Sequence, residues 1–501
     1  MDNNNFTSQS VKKETVSEKE TSNDKDALNP VQPLGTKETS SGKIPGYEEF
    51  TYQPKPRFNF KRISKVFSVV GTFLIILLPL AYVIWKNVSN KNVDTKKRGE
   101  IIWWDLGGNE IVLQKMIDEY TQKNPDVRIT LEVQSEVDYG ERLINSLKDG
   151  KGPDVFTIHN SWVPMMISYL DFIPSSVYGE DDYSKDFYPV VTKDFKTSVG
   201  IVAIPLEYDA LTLYVNDDIF ARSGKVYPRT WDQFTSLAES LTTKGEKDVI
   251  LQSGASLGMT ENVDYWQDIV ALFMLQNKSD LFSPESFESL SLGALQSFTN
   301  FYVVSKTWNS TLPKSTIAFA EGKSAMYIAP IREINNIREI NPDLNFRTII
   351  IPQVRKDDPG ELDITYATYW AQAVWKNSNS KDLAWDFLKY LSADDSYRKM
   401  ADYSKDLGVQ IPASARTSMR EELTNDRYLG SAVALAPIAT SWYLDDKTND
   451  GPKGINTVVG EAYKVTIDKI SSTRPNDNQT KLLKPLSAEL RKALSSFAVT
   501  H

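Results

Sequence analysis

The feature that most constrains this chain is one uncharged apolar run, Val66 to Ile84 (VFSVVGTFLIILLPLAYVI), with Lys61, Arg62 and Lys65 before it and Lys86 and Lys91 after it. A helix rises about 1.5 Å per residue, so a run of roughly 19 residues matches the ~30 Å hydrocarbon core of a bilayer. Pro79 is compatible with such a helix, because a spanning segment can re-satisfy a freed carbonyl locally. A cleaved signal peptide would place its apolar run near the chain start and follow it with small residues; here the run begins at Val66 and Trp85-Lys86-Asn87-Val88 follows. The run therefore predicts an uncleaved membrane anchor, residues 61–86 with its flanks. Basic residues flank both sides, and the nearest ones lean slightly toward a cytoplasmic N-terminus.

Composition then excludes several chemistries. A net charge of −9 argues against a nucleic-acid partner, which needs a basic face to meet phosphates. The absence of cysteine removes disulfides, thiolate metal sites and thiol nucleophiles, and also the lipidated cysteine that could tether a bacterial lipoprotein. With His159 and His501 as the only imidazoles, neither a zinc site nor a Ser-His-Asp triad is expected, and no cofactor is implied. Residues 1–60 are rich in Ser, Thr, Asn, Lys and Glu and poor in aliphatic side chains, so they cannot bury enough apolar surface to offset chain entropy; a disordered tail is expected. Residues 87–99, polar and lysine-rich, read as a stalk.

From Glu100 onward the pattern becomes β-α-β-α-β. Ile101-Ile102-Trp103-Trp104 predicts a buried strand; Val112, Met116, Ile117 and Tyr120 recur at helical spacing; Val127, Ile129, Leu131 and Val133 alternate as a strand. Leu143, Ile144 and Leu147 line a second helix, and Asp154 to Ile158 forms the next strand. This alternation predicts an α/β class with a parallel sheet covered on both faces, and ligands bind beyond the carboxyl ends of such strands. Those ends carry Trp104 and Asp105, then Glu136, then His159, Asn160 and Trp162. Further along, Thr230 and Ser380 each stand where they could cap a core helix, and Trp266 in Tyr265-Trp266-Gln267-Asp268 is a further cleft candidate. Gly107-Gly108 fits no dinucleotide or phosphate-loop fingerprint and reads as a turn. Asp446 to Gly451 (DKTNDG) lacks the ligand pattern of a calcium loop and also reads as a turn.

The order of several segments resembles the extracellular solute-binding proteins of ABC importers, in their large carbohydrate-binding, maltose-binding-protein-like group. The pieces are Ile204-Pro205-Leu206-Glu207-Tyr208-Asp209-Ala210-Leu211, Arg229-Thr230-Trp231-Asp232-Gln233-Phe234, Phe319-Ala320-Glu321-Gly322-Lys323-Ser324-Ala325-Met326, Ile350-Ile351-Pro352, and the run from Trp370 to Leu388. The resemblance covers residues 100–501. It implies a two-lobed periplasmic-binding-protein-like fold, one lobe about 100–208 and 356–410, the other about 209–355 and 411–501, with the solute between them. It also places the domain outside the cell and the tail inside. By the same resemblance Asp209 matches a carboxylate that accepts sugar hydroxyls and Trp442 an aromatic platform, while Arg332 stands where the group has a stacking tryptophan.

The function expected on these grounds is capture of a sugar or oligosaccharide by a membrane-anchored monomer that hands it to ABC permease subunits. A tethered ligand sensor is the alternative. A glycoside hydrolase would need two carboxylates flanking the scissile bond, and Asp181-Asp182, Asp217-Asp218, Asp357-Asp358 and Asp394-Asp395 read instead as loops or helix starts.

Overall fold

The computed structural model describes residues 97–355, 363–473 and 478–500. The tail, the apolar run and the stalk up to Lys96 lie outside the described residues, as does Asp357-Asp358. In chain order, the elements that position the site are β1 (Arg98–Leu106), α1 (Glu110–Lys123), β2 (Asp126–Gln134), α2 (Tyr139–Lys148), β3 (Val155–His159), β4 (Ala203–Ile204) and β5 (Leu211–Asn216). They continue as α3 (Trp231–Leu241), α4 (Trp266–Gln276), α5 (Glu288–Val303), β6 (Met326–Pro330), β7 (Phe346–Ile349), β8 (Trp370–Val374), α6 (Lys381–Leu391), α7 (Asp394–Asp406), α8 (Ile455–Ser472) and α9 (Leu483–Ser495).

The first lobe is built on a sheet of order β2-β1-β3-β8-β4. β1 runs parallel to β2 and β3, as the β-α-β alternation predicts. β8 lies antiparallel to β3 and β4 because it returns from the other lobe, which no local periodicity can announce. β1 starts at Arg98, so the last residues assigned to the stalk belong to the sheet. Burial alternates along Ile101–Trp104 of β1: Ile101 and Trp103 are fully buried, whereas Ile102 is 42% exposed and Trp104 half-buried. The expected helix face of α1 forms, with Val112, Met116, Ile117 and Tyr120 buried, and in α2 Leu143 and Leu147 are buried while Ile144 is half-buried.

The second lobe rests on β7-β5-β6, all antiparallel. β5 is buried on both faces: Leu211, Leu213 and Val215 join a core with α4, α5, α8 and α9, while Tyr214 joins Tyr327 and Phe346 in a core continuous with that of the first sheet. Thr230 caps α3 by accepting from Gln233 N at 3.3 Å, and Gln233 Oε1 reaches back to Arg229 N at 2.8 Å. Ser380 precedes α6 without capping it; its hydroxyl donates to Glu100 O at 2.7 Å and pins the helix to β1 instead. Residues Val93–His501 cluster as one compact unit. Among the described residues no helix is long and apolar enough to cross a membrane.

Candidate functional site

The chain passes between the lobes at Glu207–Ala210 and again at 365–369, where Ala210 bridges Ala367 and Thr365–Tyr366 pairs in parallel with Ala439–Thr440. Asp209 sits in the first crossing, buried, and one oxygen accepts from Ala210 N (2.8 Å) and Ile331 N (2.6 Å) while the other accepts from Arg332 N (3.1 Å). The carboxylate thus ties the end of β6 to the crossing strand. Burial pushes its pKa up to about 6, against the pull of Arg332 and these amides. Asp209 is therefore engaged by backbone amides and by one guanidinium, 3.9 Å away.

Arg332 donates from Nη1 to Thr368 O at 3.2 Å and lies over the Tyr265 ring at 5.6 Å. Burial opposes its charge, but Tyr265, Asp209 and Asp268 hold its pKa above the ordinary value, so it is a fixed cation. Its Nη2 is buried and makes no hydrogen bond. Thr368 also reaches His159, whose Nε2 pairs with Thr368 Oγ1 at 3.1 Å and whose Nδ1 pairs with Ser161 Oγ at 2.7 Å. His159 is fully buried, and burial, helped by Arg332, drives its pKa well down. It is a neutral crosspiece inside the molecule and lies away from the surface.

Asn160 donates to Asp194 at 3.0 Å and accepts from Tyr369 N at 3.1 Å, and Asp194 also receives Tyr369 Oη at 2.8 Å and the Ser441 hydroxyl. Lys193 donates to Ser441 O at 2.8 Å. These bonds hold the strand end of the first lobe against residues 440–441, just before Trp442. Trp442 is half-buried, 5.8 Å from the Tyr443 ring and edge-on to Tyr463. Trp162 is fully buried, stacked on Tyr139 at 6.0 Å and edge-on to Trp370 at 5.5 Å, and its Nε1 lacks a partner.

The structure therefore gathers His159, Asn160, Trp162, Asp209, Arg332 and the approach to Trp442 along one seam. The other expected positions lie elsewhere. Asp105 accepts from Gly108 N (2.9 Å) and from Gln372 Nε2 (3.1 Å), inside the first lobe. Trp104 donates to Glu132 at 2.6 Å on the outer side of β1, and Glu136 is exposed after β2. Trp266 is buried in the second core. The turn readings fit what is built: Gly107 has φ +83° and Gly108 N is held by Asp105, while Asp450 accepts from Asn456 N at 2.7 Å.

Two acids that sequence did not single out complete the seam. Asp268, in the first turn of α4, accepts from Asp446 N at 2.8 Å through one oxygen; its other oxygen is buried with no partner. Asp445 is 2% exposed, and neither of its oxygens makes a hydrogen bond; the nearby Tyr366 hydroxyl donates to Trp442 O and Leu444 O instead. Burial raises both pKa values; the charge of Asp446 adds to it at Asp268, where Arg332 pulls the other way, and the charge of Asp268 adds to it at Asp445. In sequence Asp268 looks like any acid in a helix's first turn, and Asp445 like part of a turn. Their one signal was adjacency, to Trp266 and to Ser441-Trp442-Tyr443. Among the described residues no set of three or more His, Asp or Glu side chains is arranged to hold a metal.

Two α/β lobes joined by crossing strands, with buried and incompletely paired polar groups between them, define a binding protein that encloses its solute. The sequence pattern of the bacterial extracellular solute-binding proteins matches residues 107–397, and the chain belongs to that family. Its fold is shared with the sugar-binding protein MalE from Xanthomonas citri (16% identity, covering 79% of this chain and 98% of that one, TM-score 0.63). It is also similar to an ABC substrate-binding protein from Listeria monocytogenes in complex with cycloalternan (17%, 80% and 100%, TM-score 0.61). A third similar structure is a cyclic alpha-maltosyl-1,6-maltose binding protein from Arthrobacter globiformis (17%, 80% and 100%, TM-score 0.62).

Proposed function

We propose that this protein is a membrane-anchored, extracytoplasmic receptor that captures a carbohydrate between its lobes and delivers it to an ABC permease, with no chemistry performed on the solute. The observation that carries the reading is the set of buried donors and acceptors at the seam without protein partners: Trp162 Nε1, Arg332 Nη2, Asp268 Oδ1 and both Asp445 oxygens. Leaving such a group unpaired costs about 1–3 kcal/mol, so the seam calls for an occupant rich in hydroxyls. Trp442 at the margin offers an apolar face to the C–H side of a sugar ring. Similar proteins named for sugars support the same class of solute.

The mechanism is an open-to-closed shift, driven only by how much better the closed seam holds the solute. Contacts across it already include Gly140 N to Asn449 O at 3.0 Å and Asn456 Nδ2 to Ser161 Oγ at 2.8 Å. The anchor is the Val66–Ile84 run, with the binding domain outside and residues 1–60 inside. A thermal-shift screen of the purified protein against mono- and oligosaccharides tests the capture. A binding sugar at 100 times its Kd should stabilise by about 2.7 kcal/mol, and a panel that leaves the melting point unmoved would reject it.

A further inference from the structure

Proposed carbohydrate capture leaves open what kind of sugar, and the charges at the seam bear on it. Arg332 is already engaged: Asp209 lies 3.9 Å from it, Tyr265 underlies it, and Thr368 O accepts from it. Asp209 in turn is met by the amides of Ala210, Ile331 and Arg332. Asp268 has the Asp446 amide on one oxygen and the Arg332 charge that Asp209 shares, and Asp445 has less cover still. Asp268 is fully buried and Asp445 is 2% exposed, yet Asp268 Oδ1, Asp445 Oδ1 and Asp445 Oδ2 accept no hydrogen bond. The other cation near this corner, Lys447, bonds Glu333 at 3.2 Å and lies over Tyr265.

A second, separate observation comes from the first lobe, one chain of hydrogen bonds away from Asp445. Trp162 is fully buried with Nε1 unpartnered, next to Ser161, whose hydroxyl accepts from Asn456; Asn456 in turn accepts from Asp445 N at 3.2 Å. Acceptors in excess and two spare donors, Trp162 Nε1 and Arg332 Nη2, suit a ligand that carries more donors than acceptors.

Resting on the carbohydrate reading, we propose that the solute is an amino sugar, its protonated amine held by Asp268 and Asp445 and an adjacent hydroxyl held by Arg332 Nη2. An ammonium carries three N–H donors and one charge, matching three open carboxylate oxygens beside a guanidinium that Asp209 already shares. A neutral sugar supplies hydroxyl donors but no positive charge to draw the two raised carboxyls into their ionised form. An acidic sugar adds a further negative charge beside them, while the guanidinium that would receive it already faces Asp209.

The test is titration calorimetry and thermal melting of the detergent-solubilised full chain with glucosamine, galactosamine, mannosamine and a glucosamine oligomer, each beside its N-acetylated form and its neutral parent. The expected result is one amine that binds at least about tenfold more tightly than both controls. That advantage should shrink in Asp268→Asn and in Asp445→Asn, with melting curves showing both variants folded. Neutral or acetylated forms binding as tightly, or a preference unchanged in both variants, would overturn the proposal. Binding of neutral sugars with none of the amines would overturn it while leaving carbohydrate capture intact; silence across the whole panel would overturn both.

Discussion

Asp268 and Asp445 show how one buried charge can be costly in the empty protein and useful in the filled one. Each lies out of water beside the other, so the ligand-free fold carries their repulsion and desolvation. Asp268→Asn should therefore stabilise the ligand-free protein by about 1 kcal/mol in urea unfolding, even as it weakens capture; a loss of stability would show that the charge is compensated. Asp105 and Asp209 behave alike, with burial lifting both to about 6. A raised carboxyl binds its proton in the fold at pH values where the unfolded chain has released it. Its stabilisation is thus complete in acid and is lost as pH rises through about 6. The melting temperature without ligand should fall from pH 5 to pH 7.5, and a rise over that interval would mean other groups dominate. Trp442→Ala should weaken sugar binding by ~1–3 kcal/mol through lost ring contact while sparing the fold, because the side chain is half-buried; unchanged affinity would place the platform elsewhere.

At the scale of elements, the legible parts were those with a local period. Val112, Met116, Ile117 and Tyr120 marked the buried face of α1, and Thr230 marked the start of α3. What could not be read locally were long-range meetings: β8 slotting antiparallel beside β3, or Ser380 reaching Glu100 rather than its own helix. The site divides the same way. His159, Asn160 and Trp162, expected near a cleft because strand ends in α/β sheets face clefts, stand along the seam. Trp104 and Glu136 obey the same rule in sequence yet turn outward, since facing direction depends on register with β2. The junction of α2 with the 449–451 turn is a further such meeting. A Cβ on Gly140 would stand 2.7 Å from Asn449 O, a backbone atom that cannot swing aside. Gly140→Ala should hold the lobes apart, weakening sugar binding about tenfold or more and enlarging the radius of gyration in solution scattering with sugar present. Full affinity with an unchanged radius would show that the turn gives way.

At the scale of the whole molecule, the proposed tether and the binding site are separate parts of the chain. Every seam contact named above falls within Val93–His501, a compact unit by itself, whereas the apolar run lies before it at Val66–Ile84. Affinity should then be indifferent to the anchor, while location should depend on it wholly. A run of roughly 19 apolar residues is long enough to hold the chain in a bilayer irreversibly, unlike a single lipid chain, so the full protein should sediment with membranes and resist salt and carbonate extraction. Deleting residues 61–86 should release it to the soluble fraction with sugar affinity unchanged within about twofold. Protease added to intact cells should remove the binding domain and spare the tail if the domain lies outside, as the solute-capture reading requires and the nearest basic residues slightly favour. Extraction of the full-length protein by carbonate would end the anchor reading; a protected binding domain would reverse its orientation and remove the solute supply that capture requires.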